Sequence, residues 1–128
     1  MHALIVDDSR AMRAILRRTL EPLGYTWDEA GHGQEALDVL RATVVPPDLM
    51  LVDWNMPVMD GLTLIREVRT EAAWRNITIM MVTTESEHTQ VVRALAAGAN
   101  EYLMKPFTTD AVVGKLDLLG LLPQEAHS

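Results

Sequence analysis

The chain has 128 residues, 48% hydrophobic and 23% charged, the size and balance of one globular domain with its own core and too short for two. It has no cysteine, so disulfide frameworks, cysteine-ligated zinc and iron–sulfur clusters are excluded, and a cytoplasmic setting is expected. Eleven basic against eighteen acidic residues give a formal charge of −7, a poor balance for gripping nucleic-acid phosphates, and no apolar run nears the ~20 residues of a bilayer span.

The first apolar run, residues 3–6, starts without a charged leader and reads as a strand. Met12, Ile15, Leu16, Thr19, Leu20 and Leu23 then recur at helical spacing, with Ser9 placed to cap the helix and Pro22 and Gly24 to end it. The second run, 25–30, is more polar and alternates, which suits a sheet edge. A second helix is expected from Gly33 to about Arg41, stopping before Pro46-Pro47. The runs 48–52 and 77–82 barely alternate, and near-continuous apolar strands belong in a parallel sheet covered on both faces.

Between those two runs lies a third helix over about 62–70, with Leu64, Ile65 and Val68 inward. A fourth holds Val91, Val92 and Leu95 and closes at Gly98; a fifth strand covers 101–104. The last helix begins near Thr109 and is expected to bury Val112, Val113, Leu116 and Leu119. Residues 123–128 read as a short tail, leaving one domain over 1–122 and no output domain. This alternation, (βα)5 without internal repeats, predicts an open doubly wound α/β domain.

Ligands in such sheets bind beyond the carboxyl ends of the strands. Those ends carry Asp7 and Asp8 after the first strand, Asp53 after the third, Thr83 and Thr84 after the fourth and Lys105 after the fifth. Singly, each has a plain explanation: Asp7-Asp8-Ser9 or the threonines as helix caps, Asp53 as a turn residue, Lys105 as a solvated lysine. Jointly, four strand ends offering complementary groups point to a site. Crowded carboxylates repel unless a cation neutralises them, and a hard divalent ion such as magnesium suits an all-oxygen set. The four histidines are scattered, and none is given a metal role. An Asp nucleophile, magnesium, an ammonium and a hydroxyl together suit phosphoryl transfer, with Asp53 attacking phosphorus and Lys105 neutralising its oxygens.

Five stretches carry a family resemblance: Leu4-Ile5-Val6-Asp7-Asp8-Ser9, Val52-Asp53-Trp54-Asn55-Met56-Pro57, Met59-Asp60-Gly61, Val82-Thr83-Thr84 and Tyr102-Leu103-Met104-Lys105-Pro106-Phe107. Together they resemble the receiver domains of the two-component response-regulator family over essentially all of residues 3–120, and a stand-alone CheY-like receiver in particular. The resemblance implies a three-layer, flavodoxin-like fold with the parallel sheet in order 2-1-3-4-5. It implies that Asp53 accepts a phosphoryl group from a sensor histidine kinase, a phosphotransfer protein or a small donor. Mg2+ would be held by Asp7, Asp8, Asp53 and the backbone carbonyl of Asn55, with Asp8 binding directly and Asp7 through water.

Lys105 would pair with the phosphoryl group, and the Lys105–Pro106 bond is expected to be cis. Thr83 and Tyr102 would form the switch, Asn55 and Glu85 would tune phosphoryl lifetime, and Trp54 would stand partly exposed beside the site. Phosphorylation would act on the face of the fourth helix, fifth strand and fifth helix to control a protein target, such as a motor component or another signalling protein. Such a protein is a phosphoacceptor that assists its own phosphorylation and dephosphorylation, monomeric or dimerising once phosphorylated, and it contacts neither nucleic acid nor membrane. Thr84 departs from the small residue chemotaxis receivers usually place there.

Two other readings exist. A magnesium-dependent aspartyl-phosphate phosphohydrolase of the haloacid-dehalogenase kind would carry a second Asp where Asn55 stands. A degenerate receiver used only for docking or dimerisation would have no need of Asp7, Asp8, Asp53, Thr83 and Lys105 together. A flavin domain of similar topology is disfavoured because carboxylates, not a phosphate-cradling loop, follow the first strand.

Overall fold

The computed structural model describes residues 1–84 and 90–122. Five strands, His2–Val6 (β1), Thr26–Ala30 (β2), Leu49–Asp53 (β3), Thr78–Thr84 (β4) and Glu101–Lys105 (β5), alternate with five helices. These are Arg10–Leu20 (α1), Gly33–Ala42 (α2), Gly61–Thr70 (α3), Val91–Ala97 (α4) and Thr109–Leu118 (α5). All strand pairs are parallel, in the order β2-β1-β3-β4-β5, as the resemblance implied. The polar, alternating run is indeed an edge: Thr26 and Asp28 are exposed while Ala30 is buried. Every residue of β3, by contrast, is buried.

Alternating side chains of the sheet feed two cores. Leu4, Val6, Met50, Val52, Ile79 and Met81 pack under α2, α3 and α4. Ile5, Leu49, Leu51, Met80, Val82 and Leu103 pack under α1 and α5. The three layers therefore follow from the sequence of the central strands, which is apolar at both parities.

Helix starts are well capped. Side chains of Ser9, His32, Asp60 and Thr108 accept from the backbone N–H three residues on, at the starts of α1, α2, α3 and α5, each bond contributing about 1 kcal/mol. The seven-residue α4 has no side-chain cap at Gln90. Its other end is moored: Arg69 of α3 donates from Nε to the Gly98 carbonyl at 2.9 Å and from Nη2 to Asn100 Oδ1 at 2.9 Å. Asn100 Oδ1 also accepts from the Ile79 backbone at 2.9 Å, tying this corner into β4.

The helix faces differ from expectation in detail. Ile15 is 45% exposed, Val92 73% and Leu95 41%, while Val113 and Leu119 are only half-buried. A helix laid on a sheet buries a narrow stripe, and here it runs through Leu16 and Leu20, Val91 and Ala94, and Val112 and Leu116. Apolar residues one step round the helix remain outside. No helix among the described residues is long and apolar enough to cross a membrane.

Candidate functional site

The carboxyl edge of the sheet gathers the expected groups. Asp7 follows β1, Asp53 ends β3 and Lys105 ends β5, and by strand alternation all three point to the side of the sheet covered by α1 and α5. Asp7 and Asp53 are buried, whereas Asp8 is exposed. Each offers a carboxylate oxygen within 4.8 Å of the others. Lys105 Nζ bridges two of them, donating to Asp53 Oδ1 at 3.1 Å and to Asp7 Oδ2 at 3.4 Å. Asp7 Oδ1 accepts from the Ser9 backbone at 2.8 Å. Asp8 has no hydrogen-bond partner among the described residues, so its carboxylate is free for a ligand.

The electrostatics follow from this crowding. Burial first, and then the neighbouring Asp7, push the Asp53 carboxyl up from 3.8 to about 6, with Lys105 pulling the other way. Burial alone would lower Lys105, but Asp53 and Asp7 outweigh it and its ammonium is held above the ordinary lysine value. The centre sets three acidic side chains against one ammonium. An all-oxygen set with surplus negative charge fits a hard divalent cation and offers a softer metal neither nitrogen nor sulfur.

Thr83 lies one residue past Val82, the partner of Asp53 in the β3–β4 ladder. It is buried, and its hydroxyl makes one long contact, to the Thr84 carbonyl at 3.4 Å. Both threonines lie within β4 and α4 starts only at Val91, so neither caps that helix. Tyr102 is half-buried and packs against the same core as Met81, on the face of the sheet that also carries Thr83. Lys115 Nζ stands 4.3 Å from the Tyr102 ring centre and 3.0 Å from Glu101 Oε1. The Lys105–Pro106 bond is cis. Asn55 is exposed in the loop after β3, where Trp54 is half-exposed against the core, and Glu85 lies outside the described residues.

Three features of the site were not read from the sequence. Arg13 of α1 donates to the Asp7 carbonyl at 2.6 Å. The available signal was the i, i+4 spacing of Arg13 and Arg17 opposite an acidic residue, Glu29, on the edge strand. Gly33 opens α2 against the site loop, accepting no side chain because a Cβ would come within 2.7 Å of Met59 Cγ. Gly61 serves close approach: a Cβ there would overlap the Asp53 carbonyl oxygen, and its N–H donates to the Trp54 carbonyl at 3.0 Å. Backbone cannot yield as a flexible side chain can, so Gly61→Ala is expected to lose about 1–3 kcal/mol, read as a lower urea midpoint at unchanged slope. A midpoint equal to wild type would mean that α3 is not pressed against β3. In the same loop Val58 adopts φ 68°, a rare conformation for a β-branched residue. A recess of about 320 Å3 lined by Pro46, Pro47, Asp48 and Leu121 lies at the other end of the strands, remote from this chemistry.

Comparison with known proteins agrees with this geometry. Residues 3–117 match the response regulator receiver domain family. The chain is 43% identical over 120 residues to the chemotaxis protein CheY1 of Helicobacter pylori, covering 93% of this chain and 96% of that one. It is 45% identical over 122 residues to a chemotaxis protein CheY homologue of Campylobacter jejuni, covering 94% and 93%. Among solved structures, the receiver domain of a sensor histidine kinase from Pseudomonas aeruginosa, with magnesium coordinated in its active-site cleft, superposes with a TM-score of 0.81 at 27% identity, covering 91% of this chain and 94% of that one.

Proposed function

The chain belongs to the response regulator receiver family, and on that premise we propose that it is a phosphorylation-controlled switch of the chemotaxis type. The observation that carries the proposal is the environment of one carboxylate. Asp53 Oδ1 is held by Lys105, while Oδ2 takes no hydrogen bond from the described residues and is free to attack phosphorus. With its carboxyl at about 6, Asp53 is largely ionised at neutral pH and ready to act as a nucleophile.

In the proposed reaction an Asp53 oxygen forms a bond to phosphorus as the bond to a phosphohistidine nitrogen or a small donor's oxygen breaks. Lys105, within reach of both buried carboxylates, carries its charge to an oxygen of the incoming phosphoryl group. Bound Mg2+ would supply charge neutralisation among the carboxylates and attraction for the phosphoryl oxygens. Asp8 and Asp53 would hold it, with Asp7 acting through water and the Asn55 backbone carbonyl completing the set.

Thr83, loosely bound at 3.4 Å, would turn its hydroxyl to a phosphoryl oxygen, and Tyr102 would follow on the same sheet face. Phosphorylation brings about two negative charges to this corner, enough to bias a poorly anchored neighbour. The uncapped α4, with β5 and α5, is that neighbour, and it presents Val92, Leu95 and Leu118 outward to a protein target or, on activation, to a second copy. Similarity to chemotaxis proteins favours a motility partner, with a sensor histidine kinase or phosphotransfer protein as donor. Within this reading residues 1–122 form the receiver and the chain is a phosphoacceptor rather than a multiple-turnover enzyme.

Intact-protein mass after incubation with acetyl phosphate tests the proposal. One phosphoryl adduct is expected with magnesium, none with excess chelator and none in Asp53→Asn. Sustained turnover of ordinary phosphomonoesters would instead establish a phosphohydrolase. If magnesium binds but neither acetyl phosphate nor a phosphorylated kinase labels the protein, the docking-module reading takes over.

A further inference from the structure

We propose that Arg13 is a positioning residue for the cation site, fixing the peptide between Asp7 and Asp8 so that the Asp8 carboxylate is presented to the ion. This inference rests on reading Asp7 and Asp8 as cation-holding residues. Arg13 Nη1 donates to the backbone carbonyl of Asp7 at 2.6 Å, not to its carboxylate. The guanidinium is itself held, since Nε donates to Glu29 Oε1 at 3.2 Å, and Arg17 occupies Glu29 Oε2 at 2.9 Å. With Arg13 side-chain exposure at 18% and Glu29 at 28%, the pair is partly shielded from water, unlike an ordinary surface ion pair.

Each polar group of Asp7 then has a partner. Its N–H donates to the Ala30 carbonyl at 3.1 Å, Oδ1 accepts from Ser9 and Oδ2 from Lys105. Arg13 supplies the remaining partner, at the carbonyl. The carbonyl of Asp7 and the N–H of Asp8 share one rigid peptide plane that ends at the Asp8 Cα, so fixing that oxygen fixes the point from which the Asp8 side chain departs. Asp8 has no hydrogen bond of its own among the described residues, so its backbone is the only thing in that set that aims it. Such outer partners of metal ligands typically carry a ten- to hundred-fold effect on affinity.

The proposal predicts a sign that charge alone does not. Removing a nearby cation from an acidic cluster should tighten binding of a divalent ion if the arginine acts only through its field. Removing a positioning residue should weaken it. The test is calorimetric titration of the full chain with Mg2+, beside thermal unfolding without metal, for wild type, Asp8→Asn, Arg13→Met, Arg13→Lys and Arg18→Met. Arg18 lies exposed on the same helix and removes the same charge.

Arg13→Met is expected to bind about ten-fold more weakly, Arg13→Lys to lose less, and Arg18→Met to bind at least as tightly as wild type. Failure of wild type to bind, or binding by Asp8→Asn as tight as wild type, would defeat the underlying reading of the site. If wild type binds and Asp8→Asn does not, wild-type or tighter affinity in Arg13→Met overturns the present inference. Should Arg13→Met fail to fold, Arg13→Lys decides, since it keeps the charge but not the rigid fork: reduced affinity supports positioning, and wild-type affinity overturns it.

Discussion

Lys105→Met should destabilise the metal-free protein by about 3 kcal/mol at neutral pH, with the gap to wild type narrowing as the buffer is acidified to about 5. Lys105 is the shared counter-charge of two buried carboxylates, at 3.1 Å from Asp53 and 3.4 Å from Asp7. Removing one partner of a buried pair leaves the other uncompensated, and the low end of the usual range applies because Lys105 keeps 18% side-chain exposure. Its ammonium is held above the ordinary lysine value, so its contribution is fully present at neutral pH and is lost only in strong alkali. Without it, the Asp53 carboxyl loses the one group that lowers it and rises beyond about 6. Acid then protonates the stranded Asp53 carboxylate in the folded variant and relieves its repulsion with Asp7. Urea unfolding at several pH values checks this, and a gap that widens on acidification would contradict it.

The opposite sign is expected at the neighbouring position: Asp53→Asn should stabilise the metal-free protein at neutral pH by about 1–3 kcal/mol, a rise of several degrees in Tm. Moving a carboxyl from 3.8 to about 6 means that the folded state binds this proton more tightly than the unfolded one. The ionised group therefore lowers stability above about pH 6, and that penalty fades as pH falls from about 6 through 3.8. The shift corresponds to a ceiling of about 3 kcal/mol, a figure already net of the attraction to Lys105. Saturating magnesium should shrink or reverse the difference, since binding to the folded state stabilises wild type more. Differential scanning calorimetry with and without chelator reads both effects; a less stable metal-free Asp53→Asn would remove the electrostatic account of the site.

The central strands announced the architecture because their physics is local. Leu49-Met50-Leu51-Val52 and residues 77–82 are apolar at both parities, and only a sheet covered on both faces can bury them; Thr26 and Asp28 mark their strand as an edge. Asp7, Asp8, Asp53 and Lys105 were legible for a topological reason, since parallel strands deliver their carboxyl ends to one side. Other features depend on partners distant in sequence. Nothing near Ile15 or Val92 says which side of the helix meets the sheet, because apolar residues flank the buried stripe. Nothing in the residues around Gly61 signals that α3 packs on the Asp53 carbonyl, a contact made eight residues back along the chain. Arg13 was one of four arginines in a single helix, and its role depends on Glu29, sixteen residues away on the edge strand.

The sheet order also bears on how the chain assembles. Residues up to 53 supply β2, β1 and β3 as contiguous neighbours, and with them all three carboxylates of the cluster. The ammonium that offsets them rides on β5, the last strand among the described residues, where its only ladder is with β4. Any partly assembled chain in which β5 has not docked therefore holds its acidic groups together without the ammonium that bonds to their carboxylates, since Arg13 donates to the Asp7 backbone and not to its side chain. Docking of that final strand is driven by charge as well as by burial of Leu103, and protons or divalent ions in the medium can stand in for it until it arrives. The same arrangement that gathers three carboxylates and one ammonium at the sheet edge makes folding of the chain sensitive to the ionic surroundings.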